Sequence, residues 1–329
     1  MARRLRIEFN NAFYHVMTRG NTRSRIFKKE HDKFKFLYYL DKISKKHKLI
    51  IHAYCLMNNH YHLLIETPKA NLSKAMHNLN TAYTTYYNIS NERIGHLFAG
   101  RYKAILVDKD NYAMILSSYI HLNPIRAGFV KKAEDYFWSS YKFYINNIDS
   151  PRFLEIKFLL GLFGNVEKDI VKTKLDYKQY VENQIESKYD PKKEIIANTV
   201  LGSRKFIKYI RENAEKNGWI NNKNTPDYKR FFKTKSIKVN NKKMKIQENL
   251  LTKNIFENVE LYKNEKRKVL IYLFRKYTDM TLTEIGKEFG ILGSSVSLNY
   301  KRFCQTLEFD EEIAEKLKNI VKKLFKMSK

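Results

Sequence analysis

The stretch MNNHYHLLIE, residues 57–66, places a histidine on each side of a tyrosine. In a β-strand His60 and His62 lie on one face and Tyr61 lies on the other, because side chains alternate along a strand. Two imidazoles on one face provide two metal ligands, one fewer than a catalytic metal site needs. Two ordinary strand histidines would give the same pattern, so a third ligand and a reacting group must come from elsewhere in the chain.

The segment SSYIHLNPIRAG, residues 117–128, contains both kinds of group. Tyr119 and Asn123 are four residues apart, and on a helix this spacing puts them on the same face. Pro124 disfavours helical geometry at Asn123, so the helix is expected to end there with the amide near its last turn. The tyrosine and the amide oxygen could therefore face the two histidines, whereas His121 points away in a regular helix.

The elements that must position these residues follow from the spacing of apolar residues. The predicted elements are strands at 12–18, 49–57, 60–67 and 102–108 and helices at 30–46, 72–87 and 112–122. Asn58 and Asn59 suit a tight hairpin between the second and third strands. The order β-α-β-β-α-β-α predicts an α+β, ferredoxin-like fold with an added helix, built on a single antiparallel sheet covered on one face. His15, on the first strand, is interpreted as a packed or hydrogen-bonded histidine.

The composition indicates a folded, nucleic-acid-binding protein. The chain has 329 residues, enough for two or three domains, and 43% of them are hydrophobic. Lys and Arg number 63 against 34 Asp and Glu, a net charge of +29, and 14% of residues are aromatic. Such a surface attracts polyanions and offers rings on which bases stack. An AT-rich genome that favours lysine codons is the alternative source of the lysine excess.

Other classes of protein are disfavoured by the sequence. Cys55 and Cys304 are the only cysteines, which leaves no disulfide framework and no cysteine-based zinc site. No uninterrupted apolar run approaches the ~20 residues that a bilayer span requires. We therefore expect a cytoplasmic protein without a membrane partner.

The chain changes character after Pro151, where lysine-rich helical segments take over. The densest charge run, residues 233–245, suits a solvated linker or a nucleic-acid-binding arm. This organisation predicts a first domain at 1–150, a helical and basic connecting region at 151–260, and a C-terminal domain at 261–329.

The C-terminal domain has the layout of a helix-turn-helix. Residues 266–280 form an amphipathic pattern, and Thr281 and Glu284 have capping-box spacing. After a glycine-containing turn, Ser294 is expected to cap a further helix at 294–307. This layout is typical of a duplex DNA reader, although three packed helices without DNA binding would look similar.

The motifs of the first domain together resemble the HUH single-tyrosine transposases, specifically the branch of REP-associated tyrosine transposases. The similarity extends from about Phe13 to about Tyr141 and includes YHVMTRGN, HYH, GHLFAGRYKAILVD and YIHLNPIRAG. It implies a ferredoxin-like catalytic domain that cuts single-stranded DNA at or beside hairpins. It also implies that His60 and His62 are the metal-binding pair, Tyr119 is the nucleophile and Asn123 is the third ligand.

The implied chemistry suits these residue types. Neutral imidazoles and an amide oxygen leave Mg²⁺ or Mn²⁺ fully charged, with open positions for the scissile phosphate. Attack by Tyr119 gives a 5′-phosphotyrosine and a free 3′-OH, which permits religation to a second end. The rival prediction is a DNA-binding regulator that keeps the scaffold without catalysis. A zinc hydrolase is disfavoured because the acidic general base is missing, and the resemblance leaves a monomer or a homodimer open.

The C-terminal domain resembles the DNA-binding domain of the replication initiator DnaA over Val269 to Phe303. It departs from that family at Leu292 and Gly293, where the family usually has Asp and His. Basic and polar residues in the motifs are candidate DNA contacts, although each basic one could also be a solvated surface charge. The candidate contacts are Arg19, Arg23, Arg101, Lys103 and Arg126 in the first domain and Ser294, Ser295, Asn299, Lys301 and Arg302 in the C-terminal domain.

Overall fold

The computed structural model describes residues 5–185, 190–220, 222–233, 246, 250 and 263–327. The chain divides into two compact units, one of Met1–Gly202 with Tyr209–Thr234 and one of Ser203–Lys208 with Lys235–Lys329. The boundary predicted at residue 150 lies inside the first unit, because the helices that follow it pack onto the same core. Residues 234–245 of the charge run lie outside the described residues.

The first unit is an α+β structure around one five-stranded sheet. The strands are β1 (Ala12–Arg19), β2 (Ile50–Met57), β3 (His60–Thr67), β4 (Lys103–Val107) and β5 (Val200–Leu201). The helices are α1 (Glu30–His47), α2 (Leu72–Ser90), α3 (Lys109–His121), α4 (Asn123–Arg126), α5 (Tyr141–Ile145), α6 (Lys157–Gly161), α7 (Ile170–Glu182), α8 (Arg204–Asn213), which crosses the boundary between the units, and α9 (Pro226–Lys233). The strand order is β2-β3-β1-β4-β5. The predicted fold class is confirmed.

The four predicted strands form the ferredoxin-like arrangement. β1 lies between β3 and β4, and β3 lies between β1 and β2, with every one of these pairs antiparallel. A fifth strand that the sequence did not reveal, β5, pairs parallel to β4. It has two residues, too few for an alternating pattern to be recognised.

Both faces of the sheet are covered, so the prediction of one covered face is wrong. On one face Tyr61 of β3 packs against Phe36 of α1, with 4.6 Å between ring centroids. On the other face the ring of Tyr119 in α3 lies 6.3 Å from that of His62. The added helix, α3, therefore covers the face of the sheet that carries the histidines.

The hairpin before the histidine pair is fixed by backbone contacts. β2 ends at Met57 and β3 begins at His60, as the Asn58-Asn59 pair predicted. The Asn59 carbonyl accepts a hydrogen bond of 2.8 Å from the backbone N–H of Gly20. A Cβ at position 20 would lie 2.2 Å from the carbonyl oxygen of Ser24, so the turn after β1 requires glycine at this position.

The far side of α3 is anchored by a buried polar cluster. His121 is fully buried, with Nε2 2.8 Å from Ser140 Oγ and Nδ1 2.8 Å from the hydroxyl of Tyr177 in α7. The Tyr177 hydroxyl also donates to Ser117 Oγ at 3.0 Å. The expectation that His121 points away from the Tyr119 face is confirmed, and the cluster fixes the rotation of α3 two residues from Tyr119.

The second unit consists of helices around a short turn. Besides the first residues of α8, the helices in residues 263–327 of this unit are α10 (Lys263–Tyr277), α11 (Leu282–Glu288), α12 (Gly293–Phe309) and α13 (Glu311–Met327). The predicted capping box is present: Thr281 Oγ1 accepts from the Glu284 N–H at 3.1 Å, and Glu284 Oε2 accepts from the Thr281 N–H at 2.7 Å.

The prediction that Ser294 caps α12 is wrong. The helix begins one residue earlier with Leu292 as its N-cap, and Ser294 is only 5% exposed. The turn packs closely on α11, since a Cβ at Gly286 would lie 2.4 Å from the carbonyl oxygen of Ile291. Gly293 likewise lies against the backbone of Leu282, at 3.3 Å from the position of its absent Cβ. This contact sets the start of the helix.

Candidate active site

His60 and His62 lie side by side on β3, with their ring centroids 5.0 Å apart. The strand is internal to the sheet, and its register with β1 places His60 opposite Arg19 and His62 opposite Met17. His62 is buried, whereas His60 at the start of the strand is partly accessible. The predicted pair of imidazoles on one face is therefore present.

A hydrogen bond engages the Nδ1 atom of each histidine. His60 Nδ1 donates to Asn59 Oδ1 at 2.7 Å, which leaves the lone pair on Nε2. His62 Nδ1 shares a hydrogen bond of 2.9 Å with Nε2 of His15 on β1. An outer partner of this kind fixes the orientation of a metal-ligating imidazole. The interpretation of His15 as a hydrogen-bonded strand histidine agrees with its contact.

All three histidines are neutral near pH 7. Burial, together with the positive charges of Arg19 and Lys192, lowers the pKa of His60 to about 4. Burial lowers the pKa of His15 to about 3, with a smaller contribution from Lys192. Burial and the neighbouring histidines hold the pKa of His62 well below its ordinary value. A neutral imidazole has the lone pair that metal ligation requires.

Tyr119 projects from α3 toward the histidine face and is 6% exposed. Its ring centroid lies 6.1 Å from that of His15 and 6.3 Å from that of His62, both edge to face. Two cations flank the ring, with Arg126 Cζ at 4.7 Å and Lys192 Nζ at 5.1 Å from its centroid. The structure thus brings Tyr119 to His60 and His62, although it lies more than fifty residues after them in the sequence.

Asn123 is placed beside the tyrosine by a break between two helices. α3 ends at His121, one residue before the predicted end at 122, and Asn123 begins α4. The Asn123 Nδ2 donates to the Tyr119 carbonyl at 2.8 Å. Among the contacts of the described residues, the Asn123 side chain is therefore joined to Tyr119 and to neither histidine.

The donor set fits a divalent cation in part. The two imidazoles are neutral and face the same side, and His60 carries its lone pair on Nε2. Over the described ranges, no group of three or more His, Cys, Asp or Glu side chains could hold a metal ion. A three-ligand site would therefore need an amide oxygen such as that of Asn123 to join the histidines.

The candidate DNA contacts of the first unit lie at different distances from the site. Arg19 is exposed and pairs with His60 across β1 and β3. Lys103 is exposed and pairs with Met17 of β1, which pairs on its other side with His62. Arg126 contacts the Tyr119 ring. Arg23 and Arg101 are exposed in the connections after β1 and before β4. Arg19, Lys103 and Arg126 thus border the histidine and tyrosine face.

The candidate contacts of the second unit differ in accessibility. Ser294 is buried, and the Asn299 Nδ2 donates within α12 to the Ser295 carbonyl at 2.8 Å. Arg302 is exposed, whereas the side chain of Lys301 lies outside the described residues. Arg302 is the described cation of this set that can reach a phosphate without rearrangement.

Lys192 is a residue of the candidate site that no sequence pattern indicated. It lies in a short 3-10 helix at Pro191–Glu194, more than seventy residues after Tyr119. The Tyr112 hydroxyl of α3 donates to Glu194 Oε2 at 2.6 Å and holds this helix against the site. A lysine in a lysine-rich chain carries no local signal of such a position. His15, in contrast, lies on a predicted strand, and the alternation along that strand indicates which face of the sheet it shares.

Comparisons with known proteins locate the same segment. Residues 8–123 match the family model described as "Transposase IS200 like". The matched segment contains both histidines and the tyrosine and ends at Asn123, and the match supports a DNA-processing role of the transposase type. None of the curated proteins compared with the chain matches it.

Among solved structures, the chain is similar to one described as "Structure of the REP associates tyrosine transposase bound to a REP hairpin". The identity is 16%, the TM-score is 0.37, and the similarity covers 47% of this chain and 96% of that one. Within the described ranges, no helix combines the length and the apolar character needed to cross a bilayer.

Proposed function

We propose that the protein is a metal-dependent endonuclease and strand transferase for single-stranded DNA, with Tyr119 as its nucleophile. The observation that carries this proposal is that the Tyr119 ring lies next to His62, with 6.3 Å between ring centroids, on the face of the sheet that also carries His60. A structural tyrosine would not need two neutral imidazoles and two cations around it. The match of residues 8–123 to the IS200-like transposases supports the same chemistry.

His60 and His62 would hold Mg²⁺ or Mn²⁺, with Asn123 as the proposed third ligand. When bound, such an ion polarises the scissile phosphate and stabilises its developing negative charge. The Tyr119 oxygen attacks phosphorus while the P–O3′ bond breaks. The products are a 5′-phosphotyrosine and a free 3′-OH, and attack by another 3′-OH on the phosphotyrosine releases the enzyme.

The protein's own groups prepare the reaction. The hydrogen bond that His60 donates to Asn59 orients His60, and the hydrogen bond shared with His15 orients His62, so neither ligand has to be ordered when substrate arrives. Arg126 and Lys192 lie over the nucleophile ring, where they would stabilise the phosphate and the phenolate. α3 is held by the His121 cluster and therefore presents the tyrosine on a rigid element.

The proposed substrate is DNA with unpaired strands next to a hairpin. The resemblance of the HYH and YIHLNPIRAG motifs to REP-associated tyrosine transposases favours hairpins, and the net charge of +29 suits a polyanion. The second unit is proposed to contact duplex or stem DNA through α12.

The direct test uses hairpins with single-stranded flanks, labelled at either end and incubated with the full-length protein and Mg²⁺ or Mn²⁺. The proposal expects a protein–DNA adduct that survives denaturing electrophoresis and retains only the label on the 3′ side of the cut. Tight hairpin binding without cleavage would instead support the rival function, a DNA-binding regulator.

We expect Lys192→Gln to slow cleavage by about tenfold, because it removes one cation from the nucleophile while leaving the metal ligands in place. The effect stays modest because Lys192 is exposed and water screens its charge. The neighbouring Lys193, also exposed, gives the matched control Lys193→Gln. Single-turnover cleavage rates decide the question: equal rates for both variants would remove Lys192 from the site.

A second prediction concerns the C-terminal unit. Replacing Lys301 and Arg302 by alanine is expected to weaken hairpin binding and to reduce its salt dependence by about one counterion per lost phosphate contact. The change Lys318→Ala with Lys322→Ala on α13 removes the same charge from exposed positions of the same unit. Fluorescence anisotropy at several salt concentrations measures both slopes. If the two double variants behave alike, α12 makes no specific contact with DNA.

A further inference from the structure

We propose that a surface formed by Phe34, Tyr38 and Phe137, here named the aromatic platform, binds unpaired bases of the DNA strand that passes the active site. The inference rests on the proposed function in one respect, since it takes the substrate to be DNA. It adds a binding site that none of the catalytic motifs contains.

The three rings are unusually accessible for their size. Phe34 is 52% exposed, Tyr38 is 46% exposed and Phe137 is 54% exposed. Phe34 and Tyr38 are four residues apart on α1 and so share one helix face. Leaving two phenylalanine rings half in water gives up free energy that burial would provide, and a cluster of such rings marks a surface that binds something.

The rings are held in place by a packed layer beneath them. Trp138 is buried, with its ring centroid 4.8 Å from that of Phe34 and 5.0 Å from that of Phe137, both edge to face. The Trp138 carbonyl accepts a hydrogen bond of 2.9 Å from the backbone N–H of Leu56 on β2. The Tyr136 hydroxyl donates to the Leu56 carbonyl at 2.8 Å. Phe137 is therefore fixed from both sides before any ligand arrives, which lowers the entropy cost of stacking.

The charges around the rings match a nucleic acid. Lys142 Nζ lies 3.4 Å from the Phe137 ring centroid, and Lys35 and Lys42 lie within 5.3 and 4.6 Å of the Tyr38 ring. A cation beside an exposed ring can pair with a phosphate while the base stacks on the ring. An apolar protein segment would instead have to cover these lysines, at a desolvation cost.

The acidic residues of α1 do not cancel this charge. Asp32 is buried and accepts hydrogen bonds from the backbone N–H groups of Lys28 and Lys29. Asp41 accepts from Lys45 Nζ at 2.8 Å. Two of the three carboxylates of α1 are thus already paired, and the third, Glu30, lies at the first residue of the helix, one turn before Phe34.

The position of the platform relates it to the active site. Leu56, which pins Trp138, is the neighbour of Met57, and Met57 pairs directly with His60. The platform therefore borders the end of β2 that adjoins the histidine pair, beyond the edge of the sheet. Phe34 and Tyr38 lie on α1, which covers the face of the sheet opposite His60 and His62. A strand that leaves the histidine face therefore passes round this edge before its bases reach the platform, so the platform would take unpaired bases some way along the strand from the cleaved bond.

The test compares two DNA ligands and three forms of the full-length protein. The ligands are one fluorescent hairpin with a single-stranded extension of about ten nucleotides on either side and the same hairpin without extensions. The proteins are wild type, Phe34→Ala with Phe137→Ala, and Phe34→Leu with Phe137→Leu, which keeps an apolar surface but removes the flat rings. Thermal unfolding of the three forms checks that each is folded at the temperature of the binding assay.

The expected result is a rise in Kd of about tenfold per lost ring for the extended hairpin and no change for the bare hairpin, with leucine no better than alanine. Replacing the extension by an abasic strand should remove the difference between wild type and the variants. The change Ile89→Ala with Ile94→Ala, at two other exposed apolar residues, should have no effect.

Equal affinity of all three forms for the extended hairpin overturns the proposal. So does full retention by the leucine form, or a change only in the sedimentation coefficient of the free protein, since either result marks an apolar protein contact. The adduct assay separates this failure from that of the proposed function. An adduct with unchanged binding by the variants rejects the platform alone, and lost binding without any adduct rejects the catalysis alone.

Discussion

Tyr119→Phe is expected to abolish covalent attachment to DNA while leaving the Kd for the hairpin nearly unchanged. The described contacts of the side chain all involve the ring: His15 and His62 at its edge, and Arg126 and Lys192 over its face. Phenylalanine keeps these contacts and removes only the nucleophilic oxygen. The loss of adduct should be at least on the order of a hundredfold, because other nucleophiles are not aligned with the phosphate.

The matched control is Tyr141→Phe, which removes a buried hydroxyl that has no hydrogen-bond partner among the described residues. It should form the adduct at the wild-type rate. Denaturing gels of each protein with a labelled flanked hairpin measure the adduct, and anisotropy measures binding. An adduct that persists in Tyr119→Phe would assign the nucleophile to another tyrosine.

Removing the metal ligands is expected to have the other large effect. A chelator, or His60→Ala together with His62→Ala, should reduce cleavage by a hundredfold or more, because the ion contributes several kcal/mol of charge stabilisation in the transition state. Hairpin binding should persist, since phosphate contacts from the basic surface are separate from phosphate activation.

Metal binding itself gives a second measurement that does not depend on cleavage. Titration calorimetry with Mn²⁺ should show one site in the wild type and none in the double variant. His77→Ala, which removes an exposed histidine on α2, should bind Mn²⁺ like the wild type. Cleavage that continues in excess chelator would take the metal out of the mechanism.

Local sequence signals predicted the part of the site that lies on single elements. Alternation along β3 placed His60 and His62 on one face, and the Asn58-Asn59 turn fixed where that strand begins. Helical spacing placed Tyr119 opposite His121, as the buried His121 cluster shows. In these cases residues close in sequence determine which face of the strand or helix each side chain occupies, so the sequence pattern is enough to predict it.

Contacts between distant segments were not predictable in this way. Lys192 reaches Tyr119 because a 3-10 helix is held by Tyr112, and β5 adds to the sheet although it has only two residues. The start of α12 was misplaced because close packing on Gly286, and not the capping tendency of Ser294, determines it. Each of these features depends on tertiary packing, which leaves no periodicity in the sequence.

The extra pairing at both sides of the sheet restricts how copies of the protein could join. On one side β5 and its flank supply carbonyls of Thr199 and Leu201 to the N–H groups of Leu106 and Asp108. On the other, Trp138 accepts from Leu56, and Tyr54 accepts from the Ser140 N–H. The main-chain groups that could template another strand are thus occupied at these positions. A strand of a second copy could pair with β2 or β4 at these positions only after these hydrogen bonds had broken, so in the folded protein they protect this part of both strands from edge-to-edge pairing.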